Sequence, residues 1–515
     1  MSFRPDNLDD LLTELEDHYR DWQAEAELDE RMYDQRYASL FKFDYDVDIY
    51  QSSTATDIVD TYRNHVRTAD PSVMFTPFGS SREADERASQ MRRWGEAMLR
   101  LERERSESDP NQACAFFELL RGGACKKVVV NMAAVPTKPS RSTAEWRSAM
   151  SSYWPFVVRA VDPLTVYPAP GLHKPLLYML EVQERRAGDM WREYPEWPDP
   201  KGQSLSLEKR NNPARPTRWL EYWSAPIYDD NGDIRDPGWY IVEVDGARIK
   251  DEVNPYGFVP YIFEWSGLGA SRADGNPVHV GVSILRKKRG ELEAEVKMKT
   301  AVSTQANTHV FPTILTPESA DKTAQKFRVG PGRVVTYDPV LGKPEFMEGP
   351  EPNPVTLEFL REIQSSIARL QSPALAGVRP AGVQYGIHQA LLTGEALVPL
   401  DPIKQTLHRI GSQTLNMMAR LAHIFDLSFN LDGNAERGER SHMLGGDDFV
   451  HQNFVVSFEV VDPTINNQRL LIGVALLRAG AISKRTFWLQ YARSIVADAD
   501  EEEANLMSEF VVQQL

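Results

Sequence analysis

The 515-residue chain predicts an α+β protein, and three observations carry that expectation. Up to residue 121, apolar positions recur at three- and four-residue spacing. Between 153 and 265 the sequence switches to short β-branched and aromatic runs. Beyond a long charged helix at 277–306, a small β-like stretch leads into further helices.

Residues 7–38 read as helix, because Leu8, Leu11, Leu12 and Leu15 recur at helical spacing behind Asp6 and Asn7. "SSTATDIVDTYRNHVRTADP" carries a Ser/Thr cap and stops before Pro71. A highly charged helix covers 82–105, and another covers 110–121, ending at Gly122-Gly123. Strand-like sequence begins at "KKVVVNMAAVP". "FVVRAVDPLTVYP", "LLYMLEVQE", "RWLEYWSAPIY" and "WYIVEVDG" follow as strands, and "DDNGD" at 229–233 is a hairpin turn. Trp219, Trp223 and Trp239 read as sheet core rather than as a stacking platform.

After "NPYGFVPYIFEWSGLG" (254–269), Asn276 is placed to cap a helix with Pro277 in its first turn. That helix, 277–306, has a thin apolar stripe of Leu285, Leu292 and Val296. Glu293–Lys297 and Glu295–Lys299 sit at the favourable i,i+4 spacing. So polar a helix is expected to bridge domains or pack against copies of itself. A β-like module, 308–352, contains "HVFPTILTP", "FRVGPGRVVTYDP" and "PEFMEG". A helix returns over 355–371 with Leu357, Leu360, Ile363, Ile367 and Leu370 on one face.

"SPALAGVRPAGVQYGIHQALLTGEAL" (372–397) is unusual. Helix connections run roughly 2–8 residues, and a disordered linker is normally polar. This one is long, mostly apolar and punctuated by Gly and Pro, with one cation, Arg379. Asp401-Pro402 then reads as an N-cap and N1 pair. The following stripe is Ile403, Leu407, Ile410, Met417, Leu421 and Ile424, interrupted by Thr414. A polar Gly-rich stretch (431–448) precedes the strand "NFVVSFEVVDP". The C-terminal part is helical, with a break at Gly480 and Ser483 capping "KRTFWLQYARSI".

Net charge is −16, from 58 basic and 74 acidic side chains. That balance argues against a protein that grips nucleic acid tightly, since such affinity comes from cations neutralising phosphates. Cys114 and Cys125 are the only cysteines, so neither a disulfide framework nor a cysteine metal site is expected. The acidic N-terminal stretch does not read as a secretory signal and no apolar run spans a bilayer, so a soluble protein is expected. No phosphate-binding loop, H-E-x-x-H or G-x-S-x-G occurs. Asp44, Asp46 and Asp48 read as a solvated strand edge, and the acidic run 498–503 as carboxylates favouring a helix N-terminus, rather than as cation sites. His388 and His408 lack partners at catalytic spacing. No cofactor, metal site or enzymatic chemistry is expected.

The order of these parts, with "NPYGFVPYIFEW", "SPALAGV…TGEALVPLDP" and "LLRAGAISKRTFWLQYA…ADADEEEANLMSEF", resembles the portal proteins of tailed double-stranded DNA bacteriophages, the head–tail connectors. In the family a stretch like "F-G-x-V-P" precedes the stem helix, and "NPYGFVPYIFEW" stands in that place here. Its "[ST]-G-x-A-L" is matched by Thr393-Gly394-Glu395-Ala396-Leu397. Its "G-x-I-S-x-x-T" is matched by Gly480-Ala481-Ile482-Ser483 and Thr486. The resemblance runs in order along essentially the whole chain, each motif being weak alone.

The resemblance implies a portal fold: an α/β wing at 1–276, a stem helix at 277–307, a β-rich clip at 308–354 and a second stem helix at 355–371. A tunnel loop at 372–397, a long wing helix at 398–430, returning wing strands at 431–466 and a helical crown at 467–515 complete it. It implies a dodecameric ring at one capsid vertex, assembled in the host cytoplasm, through which double-stranded DNA passes without sequence preference. The implied partners are the terminase large subunit, the head–tail adaptor, and the major capsid and scaffolding proteins, with no membrane. The implied DNA-facing residues are Val378, Arg379, Gly382, Val383, Gln384 and Tyr385. Arg379 would meet either phosphate or a neighbouring subunit. Leu285, Leu292, Glu293 and Lys297 would mediate stem packing between subunits, and Lys343 and Glu345 would mark clip docking. Two alternatives stay open: a non-channel scaffold or minor capsid protein, and a nucleic-acid-processing enzyme.

Overall fold

Local signals set most helix ends. The computed structural model describes residues 4–41, 48–66, 71–77, 79, 81–131, 154–171, 175–197, 212–272, 274–310, 314–315, 345–346, 354–368, 398–431, 442–458 and 463–491. Helix α1 (Leu8–Tyr33) starts where the Asn7 side chain accepts from Asp9 N at 2.9 Å. It stops short of 38 because Gln35 takes a left-handed φ of 59°. Helices α2 (Thr54–Val66), α3 (Arg82–Arg105) and α4 (Pro110–Arg121) follow, with Ser81 and Asp109 as side-chain caps of the last two. Gly122, φ 76°, ends α4 in the left-handed conformation that glycine adopts without a Cβ penalty.

Three strands, β2 (Gly123–Val130), β3 (Phe156–Val161) and β11 (Tyr261–Trp265), form an antiparallel sheet in the order β11-β2-β3. A second antiparallel sheet, order β10-β9-β6-β5-β4, uses β4 (Val166–Pro168), β5 (Tyr178–Arg186), β6 (Pro216–Ser224), β9 (Trp239–Val244) and β10 (Ala247–Val253). Alternation along β6 gives its two faces different tasks. Leu220 and Tyr222 pack on the α1 stripe Leu8, Leu12, Leu15, Tyr19 and Trp22. Trp219 packs instead under α5 (Ala187–Glu193). Trp219 and Trp223 are buried, the latter stacked on Tyr240 and Tyr256. Half-buried Trp239 lies under the Arg4 guanidinium. The "DDNGD" turn joins β7 (Ile227–Tyr228) to β8 (Ile234–Asp236).

The helix expected from 277 is broken. Asn276 caps as predicted, but α6 (Pro277–Val280) is one turn long. A turn through Leu285 and a 3₁₀ segment follow before α7 (Arg289–Val310) begins. The cause is a close approach: a Cβ on Gly281 would collide with the Trp22 indole. The chain therefore bends where α1 crosses it.

In the expected β module, β12 (Ile314–Leu315) pairs antiparallel with β13 (Glu345–Phe346). Helix α8 (Pro354–Ala368) returns. Helix α9 (Asp401–Ile424) enters from a 3₁₀ turn at Val398–Leu400, so Leu400 holds the cap position and Asp401 is the first helical residue, not the cap. Ile403, Leu407, Ile410 and Leu421 are buried as the stripe predicts, and Thr414 is buried too, donating to Ile410 O at 2.7 Å. Ile424, the last stripe position, is 40 % exposed.

Strand β16 (Phe454–Ser457) packs on α9 and pairs with β1 (Ser72–Phe75), while β14 (Phe429–Leu431) pairs with β15 (His442–Leu444). Helices α10 (Pro463–Arg478) and α11 (Lys484–Gln490) are separated at Gly480, with Ser483 capping α11. The fold is thus a mixed α and β architecture. No described helix is long and apolar enough to cross a membrane.

Candidate functional site: a helical hairpin and its buried anchor

Lys288, just before α7, donates from Nζ to Ser366 Oγ near the end of α8 at 3.3 Å. The two helices therefore run antiparallel. Leu292 and Val296 of α7 share one core cluster with Ile363 and Ile367 of α8. With β12 and β13 between them, the chain leaves the body as a helix, pairs two short strands and returns as a helix.

The base of this hairpin is pinned to α1 by charge. Asp29 is 1 % exposed and accepts from Ser283 Oγ at 2.6 Å and from Arg289 Nη2 at 2.8 Å. Arg289 also pairs with the Glu25 carboxylate and donates to Glu25 O, and Arg286 reaches Glu25 at 3.4 Å. Burial pushes the Asp29 carboxyl above its ordinary range, and Arg289 opposes that shift. Further along α7, buried Glu295 pairs with Lys299 at 2.7 Å and accepts from Ser52 Oγ, while Thr300 Oγ1 accepts from Tyr50 N. A second loop of the body thus grips the same helix.

These contacts correct the expectation for the stem leucines. Leu285 is fully buried in the turn before α7 and Leu292 is 3 % exposed; both belong to the chain's own core. A polar helix enters its own core here because its buried polar groups, Glu295 and Thr300, find partners. Glu293 and Lys297 pair at 3.8 Å on the more open flank, with Lys297 above the Phe41 ring. Glu345 lies on β13. Val378, Arg379, Gly382, Val383, Gln384, Tyr385, Lys343, Asp44, Asp46, His388 and the run 498–503 lie outside the described residues. His408 bonds Phe458 O at 3.1 Å.

The sequence reading overlooked the anchor, although a signal was present. The buried stripe of α1 runs Leu8, Leu12, Leu15, Tyr19, Trp22, Ala26, Asp29. An acid falling on the apolar face needs a buried partner. It likewise overlooked what "CKKVVV" does. Lys126 donates to Glu102 and Asn111, while Lys127, on the opposite face, meets Glu221 and Glu181 between the two sheets. Tyr261 donates to Glu181 at 2.5 Å and Glu221 at 2.9 Å, and Arg159 completes this seam at 2.7 Å from Glu181. Burial would raise the Glu221 carboxyl, but Lys127 holds it below its usual range.

Cys114 and Cys125 are free and buried, and no group of three or more His, Cys, Asp or Glu among the described residues is arranged to hold a metal. The chain matches no known protein family and no curated protein.

Proposed function

We propose that this chain is a portal protein of a tailed double-stranded DNA phage, forming a ring through which the genome enters and leaves the capsid. The observation that supports this most is the antiparallel α7–α8 hairpin carrying the β12–β13 pair, in the helix–strands–helix order that a stem and clip would have. The motif order resembling the portal family supplies the rest of the reading, which is an analogy of fold and sequence rather than of a catalytic site. In this reading 372–397 lines the channel, the clip docks terminase and then the adaptor, and a dodecamer multiplies the net charge of −16 so that DNA slides past few counter-charges.

The burial of Leu285 and Leu292 favours a second reading, a non-channel scaffold, because it removes the apolar stripe of α7 from subunit packing. Ring contacts along the stem then fall to its charged flank and to Leu357 and Phe359 of α8, which are 37 % and 47 % exposed. Negative-stain imaging of purified protein separates the readings. A ring with a central hole supports the portal, whereas monomers or filaments sink it. The double variant Leu357→Asp, Phe359→Asp is expected to leave a folded monomer, measured by sedimentation velocity. Intact rings at normal yield would move the stem interface elsewhere.

A further inference from the structure

Strand β11 is the edge of its sheet, and two bonds fix which way its backbone points. Val128 N donates to Pro260 O and Ser266 N donates to Gly122 O. Hydrogen-bonded pairs alternate in an antiparallel ladder, so Ile262 and Glu264 bond to β2, while Tyr261, Phe263 and Trp265 direct N–H and C=O away from it. Trp265 O accepts from Thr406 Oγ1 at 3.3 Å. The outward backbone groups of Tyr261 and Phe263 have no partner among the described residues. Buried or half-buried backbone polar groups are nearly always paired.

That edge opens into a half-open cavity of about 660 Å³, walled by Leu176, Pro226, Phe258, Phe263 and Met417, with Arg420 among its lining residues. Arg420 donates to Gly257 O at 3.1 Å and stacks 4.4 Å above the Phe258 ring. No carboxylate among the described residues pairs with it. The nearby Glu264 carboxylate is already engaged by Gln413 at 2.9 Å and Arg409 at 3.6 Å. Among the described residues the cleft therefore combines an unpaired strand edge, apolar walls and one arginine, Arg420, lacking an acid.

We infer that this cleft docks an extended segment of a partner protein, which adds to β11 as a fourth strand. Its main chain meets Tyr261 and Phe263, its apolar side chains fill the walls, and a carboxylate meets Arg420. The partner is a different protein rather than a second copy. The chain's own exposed acidic ribbon, β7–β8, already borders this cleft through Tyr228, so a copy offering that ribbon would meet the same ribbon. The inference concerns the body of the protein and does not depend on ring formation.

The test uses the full chain and a fluorescein-labelled octapeptide alternating valine and threonine around one glutamate. Fluorescence anisotropy reads binding, and amide hydrogen exchange followed by mass spectrometry reads 258–266. Binding is expected to slow exchange at 261–263 by about tenfold or more. Arg420→Gln is expected to weaken binding about tenfold, the loss of one charge-assisted contact, whereas Arg420→Lys retains most of it. A peptide N-methylated at alternate residues is expected not to bind. The inference is overturned by unchanged exchange at 261–263, by equal affinity for Arg420→Gln, or by equal binding of the N-methylated peptide. It is also overturned if 261–263 become protected on raising protein concentration without peptide, which would make a second copy the occupant.

Discussion

Helices α9 and α7 are both long, and they enter the core by different physics. Helix α9 presents an unbroken buried face, including Ile403, Leu407, Ile410, Leu415 and Met418, against α4, β2, β11 and β16. Among its described residues helix α7 buries two apolar side chains, Leu292 and Val296, and its base is held by Arg289 on Asp29 and Glu25. Apolar burial is non-directional and tolerates sliding. An Arg fork that donates to two carboxylates at once fixes one orientation.

The largest effect is expected where burial is purely apolar. Ile410→Ala removes a fully buried side chain and is expected to cost about 4 kcal/mol in urea unfolding, transfer and cavity terms together. A cost below about 1 kcal/mol would mean that α9 is not central to the core.

Next comes the anchor. Arg289→Ala leaves Asp29 buried beside Ser283 alone and is expected to cost about 3 kcal/mol. Replacing both partners, Asp29→Leu with Arg289→Met, is expected to recover most of that loss, because the desolvation cost leaves with the charges. Recovery of stability without recovery of the hairpin's protease resistance would show that the ion cluster fixes orientation. Full recovery of both would reduce the contrast between the helices to packing.

A smaller effect, of opposite sign, lies at the α4–α9 contact. The Glu118 side chain is fully buried and neither carboxylate oxygen has a partner among the described residues. Burial first, then repulsion from Glu264, pushes its pKa well above the carboxylate range. With the folded pKa raised, its favourable contribution is complete below the unfolded value of about 4.3 and is lost as pH rises toward the folded value. Glu118→Met is therefore expected to stabilise the protein by about 2 kcal/mol at pH 8 and by less at pH 4. A gain that does not change with pH would show that the folded pKa is not raised above the unfolded one.

Much of the fold was legible because it rests on local rules. The ends of α3 and α4, the Asn276 cap, the Asp229–Asp233 turn and the α9 stripe each depend on residues a few positions apart. The sequence alone determined the helices with strong stripes, the burial of Trp219 and Trp223, and the helix–strand–helix order of the hairpin. Tertiary structure decided the rest. It set the break at Gly281, forced by an indole from α1, and the burial of Leu285 in that bend. It paired β1 with β16, strands far apart in the sequence, and it joined Lys127 to acids on two other strands. It also left β11 at a sheet edge facing an apolar cleft. Periodicity reports which face of an element is buried, but not what lies against it, and a charge on a buried face is resolved only when distant chain brings its partner.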